Sequence, residues 1–448
     1  MNRSLERNIL RTNRRVEIIS LITIILSAMF FSSSLILNLF LGSYAGYFRV
    51  TLIVAINVIS FYCVSRYRYV QQIYSVFNIG FEVIFFSCFT MIVFSAIIGQ
   101  APIIAIGYSL ITYVSFYCLS YLTVILSNNT RLTKYLLIFL IILCLFLSMG
   151  ILYDAIIGLV NIPFLGDKIQ PILSEISTVD GTGARRGGFF FGSATSVFPF
   201  LSMGTLSCVL LRHVFKSDNE VFILFLSVVV IWLGYFFSYS RAPIILGSSF
   251  SIYAIFKVCF LPKEQKTLPF LTSKSFISSI LVIIFLLLLS THFHKLVDFA
   301  GEYQINRLHQ TTSLNDPGNS QRFQAWQLGI KQFENPDAWI GKGLGESNLR
   351  MKRKFDYLGQ PQYESSILLT FAEGGIFGLI ARLTPLFLIL FSLRSSPLKF
   401  VFYLWSFLMF CNLFASPLIN GHPVQYAYFL GMSLTAVLST KKRVDYSR

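Results

Sequence analysis

Along most of the chain, apolar residues run in stretches of about twenty, divided by short polar segments. A helix needs about 20 mostly apolar residues to cross the hydrocarbon core of a bilayer. The stretches in that range are 17–41, 47–65, 76–98, 102–127, 135–160, 189–211, 220–238, 242–260, 276–292, 364–392, 399–416 and 424–440. The clearest are 102–127 and 135–160, whereas 242–260 is weaker because it starts directly after Tyr239-Ser240-Arg241. The pattern predicts an all-α polytopic membrane protein of about twelve transmembrane helices. Residues 1–292 would form helices one to nine, 293–363 a large loop, and 364–448 the last three helices and a tail.

Composition agrees. Of 448 residues, 55% are hydrophobic and only 12% charged, and mean hydropathy is +0.68. A soluble globular chain carries about 25% charged residues, so a water-soluble enzyme is excluded, as is a disordered chain. Seven cysteines lie in or beside the apolar runs, with no CxxC spacing to suggest zinc or a disulfide framework. The basic N-terminal stretch leads into an apolar run too long for a signal-peptide core and without a small-residue cleavage pattern, so it reads as a first spanning helix.

The net charge of +16 would suggest a nucleic-acid partner in a soluble protein. Here it follows topology. With the N-terminus in the cytoplasm, every even-numbered connection is basic: Arg66 and Arg68; Arg131 and Lys134; Arg212 and Lys216; Lys257, Lys263, Lys266 and Lys274; Arg394 and Lys399. Both tails agree, from Arg3 to Arg15 and from Lys441 to Arg448, and the short opposite connections near 42–46 and 99–101 have no Lys or Arg. Cytoplasmic loops carry the excess of Lys and Arg, so both termini are expected inside, and nucleic acid is not implied.

Two outer segments are long, 161–188 and 293–363. A structureless loop as long as the second is unusual. Asn315-Asp316-Pro317-Gly318-Asn319 signals a turn into a helix. Phe323, Trp326, Ile330 and Phe333 then recur at helical spacing, and Asn335-Pro336 ends the helix.

Ionisable residues in or beside the bilayer are costly and are functional candidates by default. Arg185 and Arg186, just before the sixth run, and Arg241, between the seventh and eighth, stand on the outer side against the charge bias. Lipid-headgroup snorkelling or an ion pair would account for one such arginine. Three at one membrane face favour an anionic ligand, since guanidinium binds phosphate in a bidentate fork. Glu364 opens the tenth run, where the helix dipole favours a carboxylate; the alternative is a general base facing an outer cavity. Glu373 lies about two turns deeper, in Glu373-Gly374-Gly375-Ile376-Phe377-Gly378, as a substrate contact or a buried structural partner. Glu82, Asp154 and Arg382 read as structural or snorkelling. His309 has a side chain suited to proton transfer, although a surface histidine without a role, as for His422, is the commoner case. His292 and His294 lack a third metal ligand at convincing spacing. Gly341-Lys342-Gly343-Leu344-Gly345 has the look of a phosphate-binding turn but no βαβ context, so it reads as a tight turn.

Taken in order, these residues resemble the O-antigen polymerase/ligase superfamily, and most of all its Wzy-type polysaccharide polymerases. The matching pieces are Arg185-Arg186-Gly187-Gly188-Phe189, Ser240-Arg241, Ser320-Gln321-Arg322 with Trp326, Pro336, Gly341 to Gly345, and Glu373 to Gly378. Ligases of the superfamily commonly have His-Asn where this chain has Glu364-Ser365, which favours a polymerase. The resemblance implies a membrane glycosyltransferase of the GT-C type, using undecaprenyl-diphosphate-linked sugars with no metal or other cofactor. It implies Arg185, Arg186 and Arg241 on the diphosphate and Glu364 as base. Arg322 would be a second diphosphate or loop-anchoring residue, and Trp326 and Trp339 stacking residues or loop core. The partners implied are lipid-linked glycan donor and acceptor, with room for a chain-length regulator. The rivals are a ligase of the same superfamily and, further off, a lipid-linked oligosaccharide flippase, which should show pseudo-repeat halves; none is visible.

Overall fold

The computed structural model describes residues 3–32, 44–66, 121–127, 129–156, 197–215, 221–238, 242–260, 365–392 and 399–415. It also describes isolated residues elsewhere, including parts of 320–341 and 426–434. These residues are helical almost throughout, with no strand among them. The helices are α1 (Arg3–Ser32), α2 (Ala45–Arg66), α3 (Thr130–Ile156), α4 (Val197–Phe215), α5 (Val221–Phe237), α6 (Ser248–Phe260), α7 (Ser366–Ser392) and α8 (Lys399–Ala415). Three are long and apolar enough to cross a membrane, at Thr12–Ser32, Tyr47–Arg66 and Thr130–Asp154. Shorter apolar helices occupy Val197–Arg212, Val221–Phe237, Pro243–Cys259, Thr370–Ile380 and Lys399–Leu413. The runs at 76–98, 276–292 and 424–440 lie wholly or mostly outside the described residues, as does most of 102–127.

Two elements differ from the pattern reading. α1 begins at Arg3 rather than near residue 17, because Leu5, Glu6, Arg7, Leu10 and Arg11 are good helix formers that extend the span without adding apolar length. The tenth run is one helix only in outline, since its backbone leaves the helical region at Gly375.

The helices are apolar on both faces. In α1, Ile24, Ala28 and Phe31 are buried, while Ile18, Ile22, Leu26 and Met29 form an exposed stripe at spacings of three and four. In α3, Leu137, Leu140 and Cys144 are buried and Tyr135, Ile142, Phe146 and Met149 exposed. A soluble bundle would carry polar residues on that outer face; helices apolar all round belong in lipid. Arg66 and Lys257 stand in the last turns of α2 and α6, where cations complement the helix dipole. Arg66 lies 5.9 Å from the Tyr62 ring centre and Lys257 5.6 Å from that of Tyr253.

α4 is the hub, packing against α3, α5, α6 and α8. Close approach comes from small residues, as in membrane bundles generally. A Cβ on Gly204 would fall 2.5 Å from Cys144 Cβ, and one on Gly234 2.6 Å from Ser148 Oγ. Polar side chains stitch the remainder. Trp405 donates to Ser202 Oγ at 3.1 Å, joining α8 to α4. Asn129 caps α3 by accepting from Leu132 N at 3.3 Å and donates to Glu17 Oε2 of α1 at 2.9 Å.

Candidate active site

The junction of α5 and α6 and the start of α7 carry the described part of the candidate site. α5 ends in a buried serine turn. Ser238 Oγ donates to Tyr235 O at 2.7 Å and accepts from Ser240 N at 3.4 Å. Ser240 O then accepts from Ile244 N at 3.1 Å. Residues Pro243–Gly247 follow as one π-helical turn before α6. Such turns insert an extra residue and recur at functional sites. This one is locked from behind, because a Cβ on Gly247 would overlap the Tyr235 ring. The frame on both sides of position 241 is thus fixed by hydrogen bonds and packing. The arginine itself lies outside the described residues.

α7 opens with Ser365, fully buried, whose Oγ accepts from Leu368 N at 3.4 Å as an N-cap. Ser366 is also fully buried, and its carbonyl accepts from Thr370 Oγ1 at 2.7 Å. Glu364 precedes this cap and lies outside the described residues. Glu373 is buried, at 5% exposure, two turns along the same helix. A carboxylate so placed is costly unless it is served by polar partners or kept for chemistry.

Immediately beyond Glu373 the helix breaks. Gly375 adopts φ +57° and ψ −145°, a region essentially closed to residues with a side chain. The segment Trp339 to Gly341 meets the helix at this break. Trp339 stands edge-on to Phe371, with ring centres 5.9 Å apart and an interplanar angle of 84°. Gly341, buried with φ +85°, lies against the Glu373 carbonyl and the Gly375 nitrogen. The two glycine-rich segments singled out in the sequence are therefore partners. Their glycines had suggested tight turns, and nothing in their spacing indicated that they meet.

In the loop, Ser320, Phe323, Gln324, Trp326, Gln327, Ile330 and Lys331 are helical, as the periodicity predicts. The Phe323 and Trp326 rings are 6.3 Å apart. Yet Phe323 and Ile330 are more than half exposed and Trp326 only half-buried, so this face is not simply loop core. Phe333 is outside the described residues. Of the candidate residues, the structure places Glu373, Trp326 and Trp339. Arg185, Arg186, His309 and Arg322 fall outside it with Arg241 and Glu364, as do Glu82, His292, His294 and His422. Arg382 lies on α7, its side chain outside the described set, and Asp154 is half-exposed on α3. The π-turn at Pro243–Gly247 and the buried Asn412 escaped the sequence reading; neither has a local sequence signature.

Residues 226–383 match a family model described as O-antigen ligase. The match covers about a third of the chain and supports its resemblance to the O-antigen polymerase/ligase superfamily. The matched stretch runs from within α5 through the serine turn and α6 to Leu383 in α7, so it contains the glycine contact and the starts of α6 and α7. No curated protein matches the chain. This match and the apolar helices together support a bacterial membrane protein of polysaccharide biosynthesis, with ligase- or polymerase-type glycosyl transfer from lipid-linked oligosaccharide.

Proposed function

We propose that this protein is a Wzy-type polymerase that joins undecaprenyl-diphosphate-linked repeat units into O-antigen or capsular polysaccharide. The reading places about twelve spans in a GT-C-type arrangement, with both termini in the cytoplasm and the reaction at the outer membrane face. In the reaction, a hydroxyl at the non-reducing end of the acceptor repeat attacks the anomeric carbon of the donor glycan. The bond from that carbon to the diphosphate oxygen breaks, and the diphosphate leaves with the electron pair. Glu364 takes the hydroxyl proton as base. Arg185, Arg186 and Arg241 neutralise the leaving diphosphate without a metal. Arg322, His309 and Trp326 hold lipid diphosphate and glycan from the loop, and Glu373 contacts the acceptor.

The observation that carries this reading is the start of α7. Ser365 is the buried cap of that helix, and Glu364 is the residue before it, where ligases of the superfamily commonly have His-Asn. A carboxylate before a helix start is held near positive backbone N–H groups, which suits a fixed base. The description of the matching model favours a ligase as the second reading. Purified protein incubated with a defined undecaprenyl-diphosphate-linked repeat unit separates the two. A polymerase builds a ladder on the lipid carrier, whereas a ligase leaves the repeat unextended and transfers it only when another acceptor is supplied. Absence of a ladder from active protein overturns the polymerase.

A further inference from the structure

The contact between Gly341 and Gly375 is reciprocal, with each glycine's missing side chain replaced by the other segment's backbone. A Cβ on Gly341 would fall 2.5 Å from both the Glu373 oxygen and the Gly375 nitrogen. A Cβ on Gly375 would overlap the Trp339 oxygen and lie 2.6 Å from the Ile340 carbonyl carbon. Both glycines have positive φ, so neither the space nor the backbone admits another residue. The break itself has no proline to cause it. Gly375 and its neighbours Gly374 and Ile376 could all continue a helix, and an interior break forfeits intrahelical hydrogen bonds that are expensive to lose at membrane depth. Backbone in a sparsely populated region persists only where its surroundings over-determine it. Here the surroundings are the loop residues Trp339, Ile340 and Gly341.

We propose that this glycine clasp holds α7 broken and thereby sets where the Glu373 carboxylate stands, making Gly341 a positioning residue for the transfer site. Gly341 presses on the carbonyl of Glu373 itself. Released from the clasp, Gly375 relaxes towards helical φ and ψ. The outer half of α7, which carries Glu373, then turns relative to the inner half. The outer loop thus acts on the bundle at a defined point, through backbone rather than through a side chain that sequence patterning would reveal. The functional half of this inference rests on the reading of Glu373 as a substrate contact; the clasp itself does not.

The test uses the full-length protein in detergent or nanodiscs, with two readouts. The first is backbone hydrogen exchange. Gly341→Ala is expected to speed exchange across 366–378 by at least about tenfold while leaving α3 to α5 unchanged. Trp339→Ala, which adds no atoms, serves as the second variant and should act in the same direction to a smaller extent. Unchanged exchange at 366–378 in both variants overturns the clasp. The second readout is a double-mutant cycle on transfer activity. Gly341→Ala should cost at least about tenfold in the wild-type background but less than about threefold on top of Glu373→Gln. Gly431→Ala, whose Cβ would overlap the Trp405 ring, is the packing control and should cost the same factor in both backgrounds. Equal costs for Gly341→Ala in the two backgrounds, or full activity of Glu373→Gln, overturn the positioning role. A wild-type protein that forms no ladder sinks the polymerase reading while the exchange result still decides the clasp.

Discussion

Tyr426 and Ser27 meet in the buried core although 399 residues separate them in the chain. Ser27 Oγ donates to Tyr426 Oη at 3.0 Å, and that hydroxyl donates onward to the Ile24 carbonyl at 2.8 Å. The Tyr426 ring lies 5.1 Å from that of Phe31 and stacks on Phe200 at 6.1 Å. One side chain near the C-terminus therefore ties the first helix to the central one.

Removing only the hydroxyl should be mild. Tyr426→Phe keeps both ring contacts, and the freed Ser27 hydroxyl has the Ile24 carbonyl to donate to at 3.0 Å. The expected loss is about 1 kcal/mol, since hydrogen bonds inside membrane bundles are weaker than their isolation suggests. Tyr426→Ala removes the ring as well and should cost about 3–5 kcal/mol. Thermal unfolding of the purified protein in one detergent reads both, and a loss in Tyr426→Phe as large as in Tyr426→Ala would show that the hydroxyl, not packing, dominates.

Asn129 has two tasks, and substitutions separate them. Asn129→Ser keeps a side-chain oxygen for the Leu132 N–H but loses the bond to Glu17. Asn129→Ala loses both and should be less stable by a further ~1 kcal/mol, the usual worth of an N-cap. The same unfolding measurement ranks the three proteins as wild type, then serine, then alanine. Equal stability of the two variants would mean that the cap contributes nothing.

The elements that could be read in the sequence are those built from local periodicity. α2, α4, α5 and α8 start and stop within a few residues of their apolar runs, except that the described part of α4 begins at Val197 rather than 189, and the loop helix shows at Phe323, Trp326 and Ile330. Glu373 stood out because an acid within an apolar run is rare. What stayed hidden depends on residues distant in the chain. A break at Gly375 looks like any glycine in a helix until Gly341 is seen against it, and the run from Thr370 onward is as apolar as an unbroken span. The π-turn after Arg241 likewise leaves the apolar pattern of 242–260 intact, because one inserted residue shifts a helical face without changing its composition.

Asn412 makes a prediction in the opposite direction to most. It is fully buried in α8, and among the described residues neither its amide nitrogen nor its oxygen has a partner. It lies two turns beyond Trp405 on the same helix face, the face that bonds to Ser202. An unserved buried amide costs about 1–3 kcal/mol, and replacing it by an apolar group of similar shape recovers much of that. Asn412→Leu should therefore raise the unfolding temperature. A lower temperature would show that the amide serves the folded state through a partner of its own.

Arg241 decides whether the outer arginines serve the leaving group. Its flanks are rigid, with Ser238 bonded to Tyr235 O and to Ser240 N, and Pro243–Gly247 locked against the Tyr235 ring. A guanidinium mounted on such a frame loses little entropy on binding a diphosphate and can bind it in a fork. Arg241→Ala should leave single repeat units in cells and abolish long chains, a loss of about 10²- to 10³-fold in rate if one preorganised donor to developing charge is removed. Arg241→Lys keeps the charge but not the fork and should fall between. Ser238→Ala leaves the arginine in place and loosens only its mount, so it should reduce chain length less than either. Electrophoresis of polysaccharide from cells making each variant at equal membrane level gives the ranking. Normal chain lengths in Arg241→Ala would remove the arginine from the diphosphate, whatever the stability of the protein.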